Sequence, residues 1–421
     1  MGQTARSFPP VREQMDVLLR GAQEVISPQE LERKLRRSTE TGMPLIIKQG
    51  FDPSTPDLHL GHAVTIRKLR QFQQLGHRVV FLIGDFTGMV GDPSGRSKTR
   101  MRLTREEVQK NAETYKKQSF RILDPHKTEI RFNSEWLGGL NIYQFLELAG
   151  KHTVARMLER DDFLKRYQAN EPISILEFLY PLLQAYDSVA LKADVEMGGS
   201  DQKYNLLLGR KIQEEYGQEA QIAFLMPILT GTDGKEKMSK SLGNTVGICD
   251  PPEQIYGRIM SIPDDLILDY FVLTTEVPES EIRKIEEDLK SGRTNPMLHK
   301  QRLAREVVAL YHSPRAAKTA EEDFLARFRY EKIPEGVPQV PISHMVGSQA
   351  SILDLLVVSG CALSKSEGRR KIEEGAVYFG TDQSLEKMSD FRTMVQVEKG
   401  QILKVGKRKI VRLMPKEGNG K

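Results

Sequence analysis

Apolar residues along this chain fall into two kinds of run. LIIKQG after Pro44, RVVFLIGDF from Arg78 and QIAFLMPIL from Gln221 are unbroken and short, the mark of buried strands, and EIRFN from Glu129 predicts another. Between them the period changes. In HAVTIRKLRQFQQLG the residues Val64, Leu69, Phe72 and Leu75 recur at helical spacing, and Gly76 stops the run. A helix is also predicted over residues 28–39, ending near Gly42, and Thr104-Arg-Glu-Glu107 makes a capping box at the head of a long polar helix. Strands that are apolar throughout and alternate with helices predict a parallel sheet covered on both faces. The expectation is an α/β fold: a doubly wound, Rossmann-like domain over residues 1–250.

From Pro251 the pattern turns helical, as in NPMLHKQRLAREVVALYH, and predicts a helical domain over 251–330. Residues 331–350 carry three prolines and little periodicity, which predicts a linker. After it, SILDLLVVSG, the basic helix SKSEGRRKIEEG and the strands AVYFG and ILKVGKRKIVRL predict a small α+β module over 351–414.

Charge sharpens this division. The 421 residues carry a formal net charge of +5. From Ala350 onward there are 14 Lys and Arg against 9 Asp and Glu, so the whole excess lies in the C-terminal module. A localised basic excess suggests a polyanion, with a phosphate backbone the commonest; an ordinary solvated surface is the plainer reading. No apolar run approaches the roughly 20 residues that span a bilayer, and MGQTARSFPPVREQ lacks a secretory h-region. The only cysteines, Cys249 and Cys361, stand far apart, which excludes a disulfide framework or a cysteine zinc site. A cytoplasmic protein with no membrane partner is expected.

Two constellations carry candidate chemistry. His59 and His62 flank Leu60-Gly61 in the loop and first helical turn after the first strand of the domain. There free N–H groups and the helix dipole favour an anion, usually phosphate. A zinc site would need a third ligand at suitable spacing, and none is near, so no metal is expected. The second is TGTDGKEKMSKSLGN after the last strand, with Lys237 and Lys240 among glycines. Such a loop can be a plain charged surface, or it can close over a triphosphate and supply charge in the transition state. Gly91-DPSG-Arg96 is no Walker A motif, so any nucleotide is held without a P-loop.

HLGH at 59–62 with KMSKS at 237–241, in that order on one α/β sheet, resembles a class I aminoacyl-tRNA synthetase. GFDPSTPDLHLGH, GDPSG at 91–95, YPLLQAYD at 180–187 and GGSDQ at 198–202 narrow the resemblance to the bacterial-type tyrosyl-tRNA synthetases. It covers nearly the full length, and the tail resembles the alpha-L RNA-binding module. The resemblance implies an ATP- and Mg2+-dependent tyrosine–tRNA ligase that acts as a homodimer, with L-tyrosine and tyrosine tRNA as its other partners. His59, His62, Lys237 and Lys240 would act on the ATP phosphates. Gly50, Asp52, Gly61, Gly199, Asp201, Gln202, Met238 and Ser241 would meet ATP or the adenylate. Thr87, Asp92, Tyr180 and Gln184 would line the tyrosine pocket, Asp92 neutralising the ammonium and Asp187 accepting the phenol O–H.

Spacing agrees with the last of these roles, because Tyr180, Gln184 and Asp187 share one helical face. A site built to hydrogen-bond a hydroxyl rejects the analogue lacking it without editing, and tyrosyl-tRNA synthetases are the standing example of that principle. Accordingly, no insertion large enough for an editing domain separates HLGH from KMSKS. The chain departs from many family members at Lys48, where a tyrosine would give a second phenol contact; an ammonium there can donate to the phenol oxygen or point elsewhere. Contacts to tRNA are implied for Arg96 and Lys98 after GDPSG, and in the tail for Lys365, Arg369, Arg370, Lys371, Lys407 and Arg408. A tryptophanyl-tRNA synthetase, a small-molecule nucleotidyltransferase and an RNA-binding protein with a dead core are the rivals.

Overall fold

Where the apolar runs are unbroken, the chain pairs into the interior of a sheet. The computed structural model describes residues 8–53, 57–93, 104–292, 294–329, 337–342, 345, 347–381, 384–406 and 409–415. Strands β1 (Glu24–Ile26), β2 (Ile46–Phe51), β3 (Arg78–Ile83), β4 (Thr128–Phe132), β5 (Val195–Gly199) and β6 (Ile222–Met226) form one sheet in the order β1-β6-β5-β2-β3-β4. β2 to β6 are mutually parallel, and β1 joins the edge antiparallel to β6. Val79 to Ile83 and all of β6 are buried, as strands covered on both faces must be.

From β2 the chain proceeds to β3 and β4 on one side, then returns to build β5 and β6 on the other. The order therefore reverses between β2 and β5, and a doubly wound sheet opens its ligand crevice at the carboxyl ends of such a pair. Four helices frame that crevice: α1 (Leu60–Gln74), α2 (Arg105–Ser119), α3 (Ile175–Leu191) and α4 (Lys203–Glu215). α2 opens at the expected capping box, with Thr104 Oγ1 accepting from the Glu107 N–H at 3.2 Å and the Glu107 carboxylate accepting from the Thr104 N–H at 2.8 Å. The helices Pro252–Met260, Ile267–Thr274, Glu279–Ser291 and Pro296–Tyr311 belong to the same compact unit as the sheet, residues 1–320.

The second unit spans residues 321–421. Its sheet runs in the order Ser384–Lys387, Val377–Thr381, Ile402–Val405, Lys409–Met414 and Gln339–Pro341, so residues within the proline-bearing stretch supply an edge strand. Helices Ile352–Val358 and Lys365–Glu373 accompany it, and Leu355, Leu356, Ile372 and Leu403 are among its buried core residues. No helix among the described residues is long and apolar enough to cross a membrane.

Candidate active site

Asp52, the first residue past β2, collects the crevice around it. Its carboxylate accepts the hydroxyls of Thr87, from the segment after β3, and of Tyr180, on α3, each at 2.8 Å. Gly84 makes room for this junction, since a side chain there would collide with Asp52 Oδ1 and Thr87 Oγ1. Two turns beyond Tyr180, Asp187 is buried on the same face of α3, where its spacing put it. It accepts from Trp136 Nε1 at 2.8 Å and Asn133 Nδ2 at 3.3 Å, and Asn133 also donates to Thr87 at 2.9 Å. Burial pushes the Asp187 carboxyl up to about 7, against the opposing pull of the Lys48 charge and the two donors.

A chain of amides joins the other half of the pocket. Gln202 Nε2 donates to Asp92 at 2.9 Å, while Asn205 Nδ2 donates to Gln202 at 2.9 Å and to Gln184 Oε1 at 3.1 Å. Gln184 Nε2 in turn donates to Glu196 at 3.1 Å. Lys48 is fully buried beneath this chain, its Nζ 3.2 Å from Glu196 Oε1 and 3.2 Å from the Gln184 carbonyl oxygen. The ammonium that departs from the family pattern thus pairs with the chain's own carboxylate, and two of its three protons are engaged.

The two histidines open α1. His59 is its extended N-cap, and His62 Nδ1 accepts from the His59 backbone N–H at 3.3 Å. Acceptance at Nδ1 leaves the proton of a neutral His62 on Nε2. Their ring centroids lie 3.9 Å apart. Burial above all, then the neighbouring imidazole and Lys240, push His59 down to about 2; burial and Lys240 push His62 to about 4. Both rings are therefore neutral donors at physiological pH. At Gly61 an added Cβ would press on the His59 ring at 3.0 Å and meet Met238 Cβ at 3.6 Å, so the bare backbone accommodates the ring.

Main-chain pairing brings the KMSKS loop to the same place. The Leu60 N–H donates to the Val246 carbonyl at 2.9 Å and the Ile248 N–H to the Leu58 carbonyl at 3.2 Å. Lys240 Nζ stands 2.5 Å from Asp57, whose carboxyl it holds below its usual range, and Lys237 Nζ stands 3.6 Å from Asp201. Met238 is buried with its N–H on the Leu229 carbonyl, and Ser241 Oγ lies 3.0 Å from Ser239 Oγ. Gly50 is exposed with open space above its Cα, and Gly199 sits against the Asp201 carboxylate.

The tail cations lie on the second unit. Lys365 pairs with Asp354 at 2.5 Å, Arg369 with Glu373 at 2.9 Å, Arg370 with Glu374 at 3.8 Å and Lys371 with Glu367 at 3.5 Å. Arg96, Lys98, Lys407 and Arg408 fall outside the described residues. Asn133, Trp136, Glu196 and Asn205 belong to the site and were not singled out from the sequence; a carboxylate inside ADVEMGG was the one available signal. Among the described residues no three His, Cys, Asp or Glu side chains converge in a way that could hold a metal ion.

Comparison with known proteins gives this geometry a family. The family model described as tRNA synthetases class I (W and Y) matches residues 40–329. The chain is 52% identical over 403 residues to a tyrosine–tRNA ligase of Moorella thermoacetica, covering 96% of each. It is 51% identical over 401 residues to a tyrosine–tRNA ligase of Thermotoga maritima, covering 95% of this chain and 97% of that one. Among solved structures, a tyrosyl-tRNA synthetase from Archaeoglobus fulgidus, complexed with L-tyrosine, is similar with a TM-score of 0.61 and 25% identity, over 74% of this chain and 100% of that one.

Proposed function

The chain belongs to the class I tRNA synthetases that serve tryptophan and tyrosine, and from that premise we propose how its crevice works. It is an ATP-dependent ligase that converts L-tyrosine to tyrosyl-adenylate and pyrophosphate, then transfers tyrosine to the 3'-terminal adenosine of its tRNA. The observation that carries the choice of tyrosine is the buried Asp187 carboxylate, fixed by Trp136 and Asn133 on the α3 face that also bears Tyr180 and Gln184. Each carboxylate oxygen keeps a lone pair for the phenol O–H.

Asp92 faces the substrate ammonium, with Gln202 steadying it, and Thr87, Tyr180 and Gln184 complete the pocket. Lys48 stands behind the phenol site, where its charge lowers the cost of ionising Asp187. The substrate carboxylate, already a nucleophile, attacks the α-phosphorus and the bond to pyrophosphate breaks, so positioning and charge replace a general base. His59 and His62 offer neutral N–H donors to the phosphates. Lys237 and Lys240 leave Asp201 and Asp57 for them, and exposed pairs of this kind are weak enough to exchange. Gly50, Asp52, Gly61, Gly199, Asp201, Gln202, Met238 and Ser241 surround the adenylate. Magnesium would accompany ATP, adding positive charge at its phosphates.

Residues 251–330 are the helical part of the enzyme and 351–414 its RNA-binding module, where Lys365, Arg369, Arg370, Lys371, Lys407 and Arg408 meet tRNA phosphates; Arg96 and Lys98 meet the acceptor end. A homodimer accords with Ile142, Tyr143 and Leu146, which leave an apolar face exposed on the helix Ile142–Gly150, Tyr143 at 81%. The enzyme works in the cytoplasm. Aminoacylation with labelled tyrosine tests the reading: ATP-dependent charging of tyrosine tRNA is expected, and a protein that forms no tyrosyl-tRNA refutes it.

A further inference from the structure

A cavity of about 540 Å3 lies in the first unit apart from the crevice, against the middle of α1. Arg20, Arg67, Lys68, Arg70 and Arg121 line it, with Glu276 the one carboxylate among the lining residues. None of them belongs to the residues assigned above to ATP or tyrosine.

These cations are held in place largely by neutral groups. Lys68 Nζ donates to the carbonyls of Arg20 at 2.8 Å and Val17 at 3.2 Å. Arg20 Nη2 donates to the Val277 carbonyl at 2.6 Å, and Arg121 Nη1 to the Tyr311 carbonyl at 3.2 Å. The carboxylates that approach stand at the far limit of pairing: Glu276 lies 3.9 Å from Arg67, and Asp124 lies 3.9 Å from Arg70. Carbonyl oxygens orient a cation without cancelling its charge. Burial above all pushes the Lys68 ammonium down to about 7, and crowding by Arg20 and Arg67 adds to that shift. An anion in the cavity would relieve that crowding.

We propose that this cavity binds a small polyphosphate anion. A lone phosphate would engage only part of the array. Cations drawn from α1, the turn that follows α2 and the chain before β1 surround a volume within the range of about 300–1,000 Å3 typical of small-molecule sites. Val64 and Leu273 add apolar wall, which suits the base and ribose of a nucleoside triphosphate, while a bare polyphosphate chain would use the cations alone. Because α1 carries His59 and His62 at its start and Arg67, Lys68 and Arg70 in its middle, the site grips the helix that presents the phosphate-binding histidines.

Calorimetric titration of the full-length protein with GTP and, separately, inorganic tripolyphosphate tests this. The background is a Lys237→Ala/Lys240→Ala variant, which weakens phosphate binding in the crevice. Binding is expected there, and about tenfold or more weaker after adding Arg70→Gln and Arg121→Gln, two partly or fully exposed positions. Arg70→Lys with Arg121→Lys keeps the charge and should retain much of the affinity, which separates the proposal from damage to the fold; matched melting curves check the same point. Tighter binding of GTP than of tripolyphosphate assigns the site to a nucleotide, and equal binding to an inorganic chain. Affinity indifferent to the arginine substitutions, or no binding of either probe at millimolar concentration, overturns the proposal.

Discussion

On the proposed reading discrimination turns on Asp187, and its protonation gives a signed test. Its carboxyl is raised to about 7, and a phenol O–H donates best to the ionised form. Tyrosine affinity should therefore fall as pH is lowered through about 7, approaching tenfold per unit on the acid side. His59 and His62, held near 2 and 4, do not titrate in that window. Removing the charge with Lys48→Met should move the midpoint of this profile upward, a shift that loss of packing alone would not produce. His59→Ala should slow tyrosyl-adenylate formation by about a hundredfold or more, the scale for a preorganised transition-state donor, while leaving the tyrosine Kd unchanged. Stopped-flow formation of the adenylate and equilibrium titration of tyrosine separate the two effects. Asp187 was legible because its spacing from Tyr180 and Gln184 survives in one helix. Glu196 was not, since an acid in a strand ordinarily marks a solvent face, and the tertiary approach of Lys48, Gln184, Ser188 and Gln221 makes its burial tolerable.

At the scale of elements, four of the six strands of the first sheet announced themselves as apolar runs, and the other two stayed hidden. β1 is three residues long at an edge, and β5 carries Glu196 and two glycines, a composition that opposes strand formation. β5 is nonetheless fixed by parallel partners on both sides, β2 and β6, so the sheet overrides local preference. The capping box of α2 was legible: Thr104 and Glu107 open the helix as their spacing predicts, and Thr104→Ala should cost about 1 kcal/mol in a denaturant melt. The KMSKS loop stood out in the sequence by its lysines and glycines, but its structure did not. Its attachment across Leu58 and Leu60 depends on backbone pairing that no residue pattern encodes. Lys240→Ala should lower the rate of adenylate formation with tyrosine affinity preserved, because its ammonium lies near His59 and His62, the proposed phosphate donors, and not among the proposed amino-acid contacts.

Across the whole molecule, the proposed RNA-binding role of the basic C-terminal unit would separate activation from delivery. A chain ending at residue 329 should form adenylate at an undiminished rate yet charge tRNA with kcat/KM lower by about a hundredfold or more, since phosphate contacts dominate nucleic-acid affinity. Undiminished charging would refute the role of the tail. Stability should also depend on pH. His59, His62 and His77 are buried with depressed pKa values of about 2, 4 and 4, so the unfolded chain binds more protons from about pH 6.5 downward. Their contribution is complete above 6.5 and lost as pH falls toward 4. Asp187, raised to about 7, acts in the opposite direction, one group against three. The Tm should accordingly drop between about pH 7 and pH 5. The shift at Pro251 from strands to helices was visible in the sequence, but the docking of those helices into one unit with the sheet was not, because periodicity shows which face is apolar and not what covers it.

ATP–pyrophosphate exchange without tRNA, run side by side with tyrosine, phenylalanine and tryptophan, tests the central claim most directly. Exchange supported by tyrosine alone is the result expected of a crevice that activates a carboxylate and reads a phenol through Asp187. Exchange with phenylalanine as fast as with tyrosine, or exchange driven by tryptophan, would contradict the assigned pocket, and exchange with none of the three would contradict the activation chemistry itself.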